Sequence, residues 1–138
     1  MPYRITERGY EPFKLTPDEV LDKVKELGVR FIDLQFTDLP GRLQHTTIVS
    51  RELTKDSFEI GVPKLDGSSI RGFVEVHESD MVLIPDPSTF AIIPWTSLEH
   101  RAGRLICDVH WGFGEGRLSR DPRNIAQRAE QTLKDELG

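Results

Sequence analysis

Hydrophobic positions along this chain recur with two different periods, and the period changes where the turn-forming residues fall. Val20, Leu21, Val24 and Leu27 share one side of a helical wheel. Thr16-Pro17-Asp18-Glu19 precedes them: a threonine able to cap, a proline suited to the first helical position, and a glutamate at capping-box spacing. Gly28 follows as a C′ stop, so a helix is predicted over Thr16 to Leu27. From Phe31 to Thr37 the period drops to two. Ile32, Leu34 and Phe36 fall on one face and Asp33, Gln35 and Thr37 on the other, the signature of a half-buried strand. Pro40-Gly41 reads as the central pair of a type II turn. Leu43 to Val49 is rich in β-branched residues and reads as the returning strand of a hairpin.

Ser50 to Pro63 is mixed, with a short helix expected near Arg51 to Asp56. Met81 to Ile84 is a short apolar strand stopped by Pro85-Asp86-Pro87-Ser88. Thr89 to Pro94 is expected as another strand and Trp95 to Gly103 as a connector. Arg104 to Trp111 alternates, with Leu105, Cys107, Val109 and Trp111 inward and His110 toward solvent. Gly112 to Gly116 is a turn. Asp121-Pro122 repeats the cap-plus-proline start, and Ile125, Ala129 and Leu133 form the stripe of a final helix. The pattern predicts an α+β domain, one helix packed on a mostly antiparallel or mixed sheet. Three segments are expected: an extended arm over 1–14, the domain proper over 15–111, and a turn and linker helix over 112–138.

With 138 residues the chain holds one domain, or one domain and the start of another. Its 37% hydrophobic and 30% charged content suits a globular protein on the polar side. A net charge of −5 and the lack of a dense basic run argue against nucleic acid as a partner. Cys107 is the single cysteine, which rules out an internal disulfide and suits a reducing compartment. Met1 to Gly9 carries no apolar signal core, and no apolar run approaches the roughly 20 residues of a membrane helix. A cytoplasmic protein with no membrane partner is expected.

One stretch obeys neither period. Lys64 to Met81 holds four carboxylates (Asp66, Glu75, Glu78, Asp80) against a single Arg71, with Ile70, Phe73, Val74 and Val76 interleaved. Asp66-Gly67-Ser68-Ser69 is turn chemistry. Ordered irregular segments of this kind often carry function, and a solvated acidic loop is the plainer alternative. His77-Glu78 opens like a zinc-protease helix, but the position four after His77 is Met81. The remaining histidines show no ligand spacing. Gly112-Phe113-Gly114-Glu115-Gly116 lacks the glycine that a dinucleotide fingerprint wants at Arg117. Gly67-Ser68-Ser69-Ile70-Arg71 has Arg71 where a nucleophile elbow needs glycine. That leaves Asp66, which could bind a small cation, accept a proton, or bond the backbone of Ser68 in an Asx-turn.

The stretch resembles the amino-terminal region of glutamine synthetases, the bacterial and archaeal type I enzymes in particular. The resemblance rests on Asp66-Gly67-Ser68-Ser69-Ile70, Gly72-Phe73 and Glu78-Ser79-Asp80-Met81. It extends to Leu34-Gln35-Phe36-Thr37-Asp38 with Gly41, to Pro85-Asp86-Pro87, Pro94-Trp95 and Ile106-Cys107-Asp108, and to Asp121-Pro122-Arg123. It covers roughly residues 16 to 136, and so many ordered matches are specific where one tetrapeptide is not.

The resemblance implies a β-grasp domain followed by a linker helix. It implies an enzyme that ligates ammonia to glutamate, spending ATP, through a γ-glutamyl phosphate. Its substrates would be glutamate and ammonium, with ATP and Mg²⁺ (or Mn²⁺) bound by a catalytic domain that this chain does not include. It implies a homo-oligomer of hexameric rings, usually stacked as a dodecamer, with each active site shared between neighbouring subunits. Asp66 and Ser69 would then be the ammonium-site residues, contributed to the adjacent subunit. No metal ligand or cofactor-binding residue is expected in this chain, and alone it should be inactive. Glu75 stands where some relatives carry a regulatory arginine, so no feedback mechanism is carried over. Ile70 and Phe73 suggest a subunit contact. The alternatives are a free-standing β-grasp interaction module and a regulatory ligand-binding module acting through the acidic loop.

Overall fold

The structure, a computed structural model, describes residues 3–6, 9–12, 15–66, 80–112 and 116–137. Helix α1 spans Pro17–Glu26. The Thr16 hydroxyl accepts the Glu19 N–H at 3.3 Å, and Asp18 and Glu19 lie at the positive end of the helix dipole. Gly28 stops the helix at φ +66°. Its N–H reaches Lys25 O while the Val29 N–H reaches Val24 O, a Schellman closure. Val20 and Val24 are buried, and Leu21 packs partly against the core.

Strands β3 (Phe31–Thr37) and β4 (Leu43–Val49) form the expected hairpin, with Ile32, Leu34 and Phe36 buried. The connecting turn closes one residue earlier than Pro40-Gly41 suggests. The Gly41 N–H bonds Asp38 O, so Leu39-Pro40 is the central pair and Gly41 follows at φ +91°. The cause is the buried Asp38, whose carboxylate accepts the Arg42 N–H at 2.7 Å and the Gln44 amide at 2.9 Å. A 3-10 turn at Ser50–Glu52 leads to α2, Lys55–Glu59, which starts later than its expected position because Thr54 and Ser57 form a capping box.

Strand β5 (Val62–Asp66) pairs antiparallel with β6 (Asp80–Pro85). Strand β8 (Ala102–Trp111) runs antiparallel to β6 and parallel to β3. Among the described residues the sheet order is β4-β3-β8-β6-β5, a mixed sheet whose parallel pair is central. Leu34, Leu83, Leu105, Cys107 and Val109 are fully enclosed between this sheet and α1 with its neighbours. The strand expected over Thr89 to Pro94 shrinks to β7, Ala91–Ile92, paired with the first half of β8. Local bonding shortens it. The Asp86 carboxylate accepts Ser88 N–H and hydroxyl, and the Thr89 hydroxyl bonds Asp86 O and the Ile106 N–H. These bonds wind Pro87–Thr89 into a 3-10 turn.

Within the amino-terminal arm, β1 (Tyr3–Thr6) and β2 (Gly9–Pro12) form a separate antiparallel hairpin. At the other end, α3 runs over Pro122–Leu137. Its apolar stripe is largely uncovered, with Ile125 51% and Leu133 58% exposed, and no residue of α3 is fully buried. No helix among the described residues is long and apolar enough to cross a membrane.

Candidate functional site

Asp66 is the last residue of β5, paired in register with Asp80, the first residue of β6. The described β5–β6 pair therefore ends with Asp66 directly opposite Asp80. Gly61 sets the approach of β5 to its partner. It lies at φ +97°, and a Cβ there would sit 3.1 Å from Leu83 O and 3.2 Å from the Val82 side chain. Only glycine meets both demands without strain. Ser69, Ile70, Phe73 and the rest of residues 67–79 lie outside the described residues, as does the Asp66 side chain.

Beside this edge lies a relay of charges that pattern reading did not assemble. The last residues of β8 are held on one side by β6 (Met81↔Trp111) and on the other by the returning segment 116–118. There the Leu118 N–H bonds Val109 O, and Arg117 bridges His110. Arg117 reaches Asp108 at 3.1 Å and Asp121 at 3.3 Å. Arg123 donates from Nε to Asp108 at 2.9 Å and from its terminal nitrogen to Asp86 at 2.5 Å. Asp121 is fully buried: Oδ2 accepts the Val109 N–H at 3.0 Å, and Oδ1 accepts the Arg123 N–H at 3.1 Å, capping α3. Burial pushes the Asp121 carboxyl up, against the pull of those backbone donors and Arg117. His110, expected to face solvent, is half-buried, and burial followed by the Arg117 charge pushes its imidazole down. The sequence held two partial signals of the relay, the Asp121 cap and Arg123 after Pro122.

Other polar groupings are self-contained. On the outer face of the hairpin, Asp33 accepts His45 at 2.7 Å, Thr47 at 3.1 Å and Gln35 at 3.1 Å. An open cleft of about 520 Å³ lies between α3 and the Asp86–Ser88 turn, but its charges pair with one another, Arg123 with Asp86 and Lys134 with Glu130. Among the described residues no group of three or more His, Cys, Asp or Glu could hold a metal.

The family profile described as glutamine synthetase, beta-Grasp domain, matches residues 28–112, from the end of α1 to the end of β8. The chain belongs to the glutamine synthetase β-grasp family. The glutamine synthetase of Sulfolobus acidocaldarius is 50% identical over 113 residues, 82% of this chain and 23% of that protein. That of Aquifex aeolicus is 46% identical over 121 residues, 88% of this chain and 25% of that protein. The chain thus spans about a quarter of the length of these curated relatives. A cryo-EM structure of Plasmodium falciparum glutamine synthetase superposes with a TM-score of 0.77 over 88% of this chain and 23% of that one. At 21% identity it speaks for the fold alone. The α+β, β-grasp architecture with a carboxy-terminal helix is the one the resemblance implied.

Proposed function

We propose that this chain is the amino-terminal domain of a glutamine synthetase, the ligase that joins ammonia to glutamate with ATP through a γ-glutamyl phosphate. The observation that carries this reading is the 50% identity to a glutamine synthetase across most of the chain. The register Asp66↔Asp80 is compatible with it, because Asp66 ends β5 at the edge of the sheet. In this reading Asp66 holds ammonium by charge and directed hydrogen bonds, then takes the proton that must leave before nitrogen attacks. Ser69 is the second ammonium-site residue in this reading. ATP and Mg²⁺ or Mn²⁺ belong to a catalytic domain outside this chain, the subunits assemble as hexameric rings, and the enzyme works in the cytoplasm.

The test is Asp66→Asn in the full-length enzyme, which keeps size and turn-forming ability but removes the charge. Glutamine formation should fall ~10²–10⁴-fold, while γ-glutamyl phosphate formation survives better. Rings reassembled from Asp66→Asn subunits and subunits disabled in the catalytic domain should regain part of the activity. Mixed rings as inactive as both parents would refute the shared-site assignment.

A further inference from the structure

We propose that Arg123 is a positioning residue for the ammonium site, fixing the strand pair that delivers residues 66–80 relative to the helix that leads out of the domain. The inference rests on the active-site reading above. A single guanidinium joins three elements. It sits in the first turn of α3, donates to Asp108 on β8, and donates to Asp86, the residue immediately after β6. Asp108 lies opposite Ile84 in the β6–β8 register, so both acceptors belong to the same end of one strand pair. The planar fork of arginine suits such a bridge, and a lysine point charge could not hold both carboxylates in one geometry.

Polar contacts rather than apolar packing orient α3: Arg123 is the side chain of its first turn that reaches both Asp108 and Asp86, beside the Asp121 cap on Val109. The helix contributes no fully buried residue, so apolar packing constrains its direction weakly. The ion pairs are shielded: the side chains of Asp86, Asp108, Arg117 and Arg123 are only 22–27% exposed. Charge pairs in such surroundings interact more strongly than surface pairs. The second arginine extends the lock toward the Asp80 end of β6. Arg117 lies across from His110, and His110 lies across from Val82, two residues beyond the Asp80 that pairs with Asp66. The relay therefore ties both the Pro85 end of β6 and the neighbourhood of its Asp80 end to the start of α3. If α3 pivots, the β5–β6 edge moves with respect to whatever α3 is attached to, and Asp66 moves with it.

The test compares Arg123→Met and Arg123→Lys with Asp66→Asn in the full-length enzyme. Arg123→Met should raise the KM for ammonium on the order of tenfold or more, since small misplacements of a positioning group are costly. The KM for glutamate and the rate of γ-glutamyl phosphate formation should stay within about twofold. Arg123→Lys should fall between wild type and Arg123→Met. Combined with Asp66→Asn, the methionine change should add less than about twofold, because both act through one group. If Arg123→Met rings do not assemble, Asp86→Asn removes one of the two contacts and carries the same KM readout. An unchanged ammonium KM, or equal losses in every step, would overturn the inference. If Asp66→Asn impairs ammonium use and Arg123→Met does not, this inference alone fails. If neither does, the active-site reading fails and takes it along.

Discussion

Removing the Asp121 carboxylate should cost far more stability than removing any surface charge. Three donors converge on it: the Val109 N–H, the Arg123 N–H and the Arg117 guanidinium. Asp121→Ala strands the two backbone donors and leaves Arg117 with Asp108. Loss of the helix cap is worth about 1 kcal/mol. Leaving the buried Val109 N–H without a partner, with Arg117 short of one of its two carboxylates, adds about 2 kcal/mol. The sum, about 3 kcal/mol, falls at the low end for breaking a buried pair, as expected where Asp108 still serves Arg117. Asp121→Asn keeps an acceptor for the Arg123 N–H but turns an amide N–H₂ toward Val109 and Arg117. It should lose roughly 2 kcal/mol. For a domain of this size these translate to Tm decreases of roughly 10–15 °C and 6–10 °C. Asp18→Ala is the control. Its partner Lys55 lies 3.9 Å away with both side chains mostly exposed, and it should stay within about 0.5 kcal/mol. Urea unfolding of the three variants, read as midpoint shifts at constant m, measures the order directly. A loss below about 1 kcal/mol for Asp121→Ala would mean that water satisfies the stranded donors, and the description of the relay as a buried lock would be wrong.

Two further outcomes follow from single groups. The Gln44 amide, followed by backbone N–H groups of Arg42 and Gly41, holds the Asp38 carboxyl below its ordinary value. A depressed carboxyl stabilises the fold above the unfolded value, about pH 4, and that contribution is lost as pH falls through the lower folded value. The stability gap between wild type and Asp38→Ala should therefore be full at pH 7 and shrink as pH falls below the unfolded value in parallel urea titrations; a gap independent of pH would contradict the assignment. Cys107 is fully buried, and burial pushes its thiol far up, so alkylation at pH 8 should proceed only through unfolding and accelerate with urea. Labelling of the folded chain at the rate of a free thiol would place Cys107 outside the core.

The sequence by itself determined the elements whose bonds close within a few residues. Thr16, Pro17 and Gly28 bound α1 because capping and Schellman bonds span at most five positions. The alternation of Ile32, Leu34 and Phe36, and of Leu105, Cys107 and Val109, named the buried faces because the pleat itself has period two. Motif resemblance added the family and the two proposed ammonium-site residues, Asp66 and Ser69. Tertiary structure decided what depends on distant partners. The parallel pairing of β3 with β8 joins residues whose association leaves no mark in either strand's own pattern. Asp86 reads locally as a turn residue, and it does make that turn through Oδ1. Its Oδ2, however, meets Arg123 across 37 positions of sequence. The Ile125–Ala129–Leu133 stripe shows the opposite case: helical period makes a face, but only packing says whether it is covered, and here Ile125 and Leu133 remain open. Periodicity records which side of an element avoids water. Which charges meet once those sides are packed is set by strand order and register, and those belong to the assembled sheet.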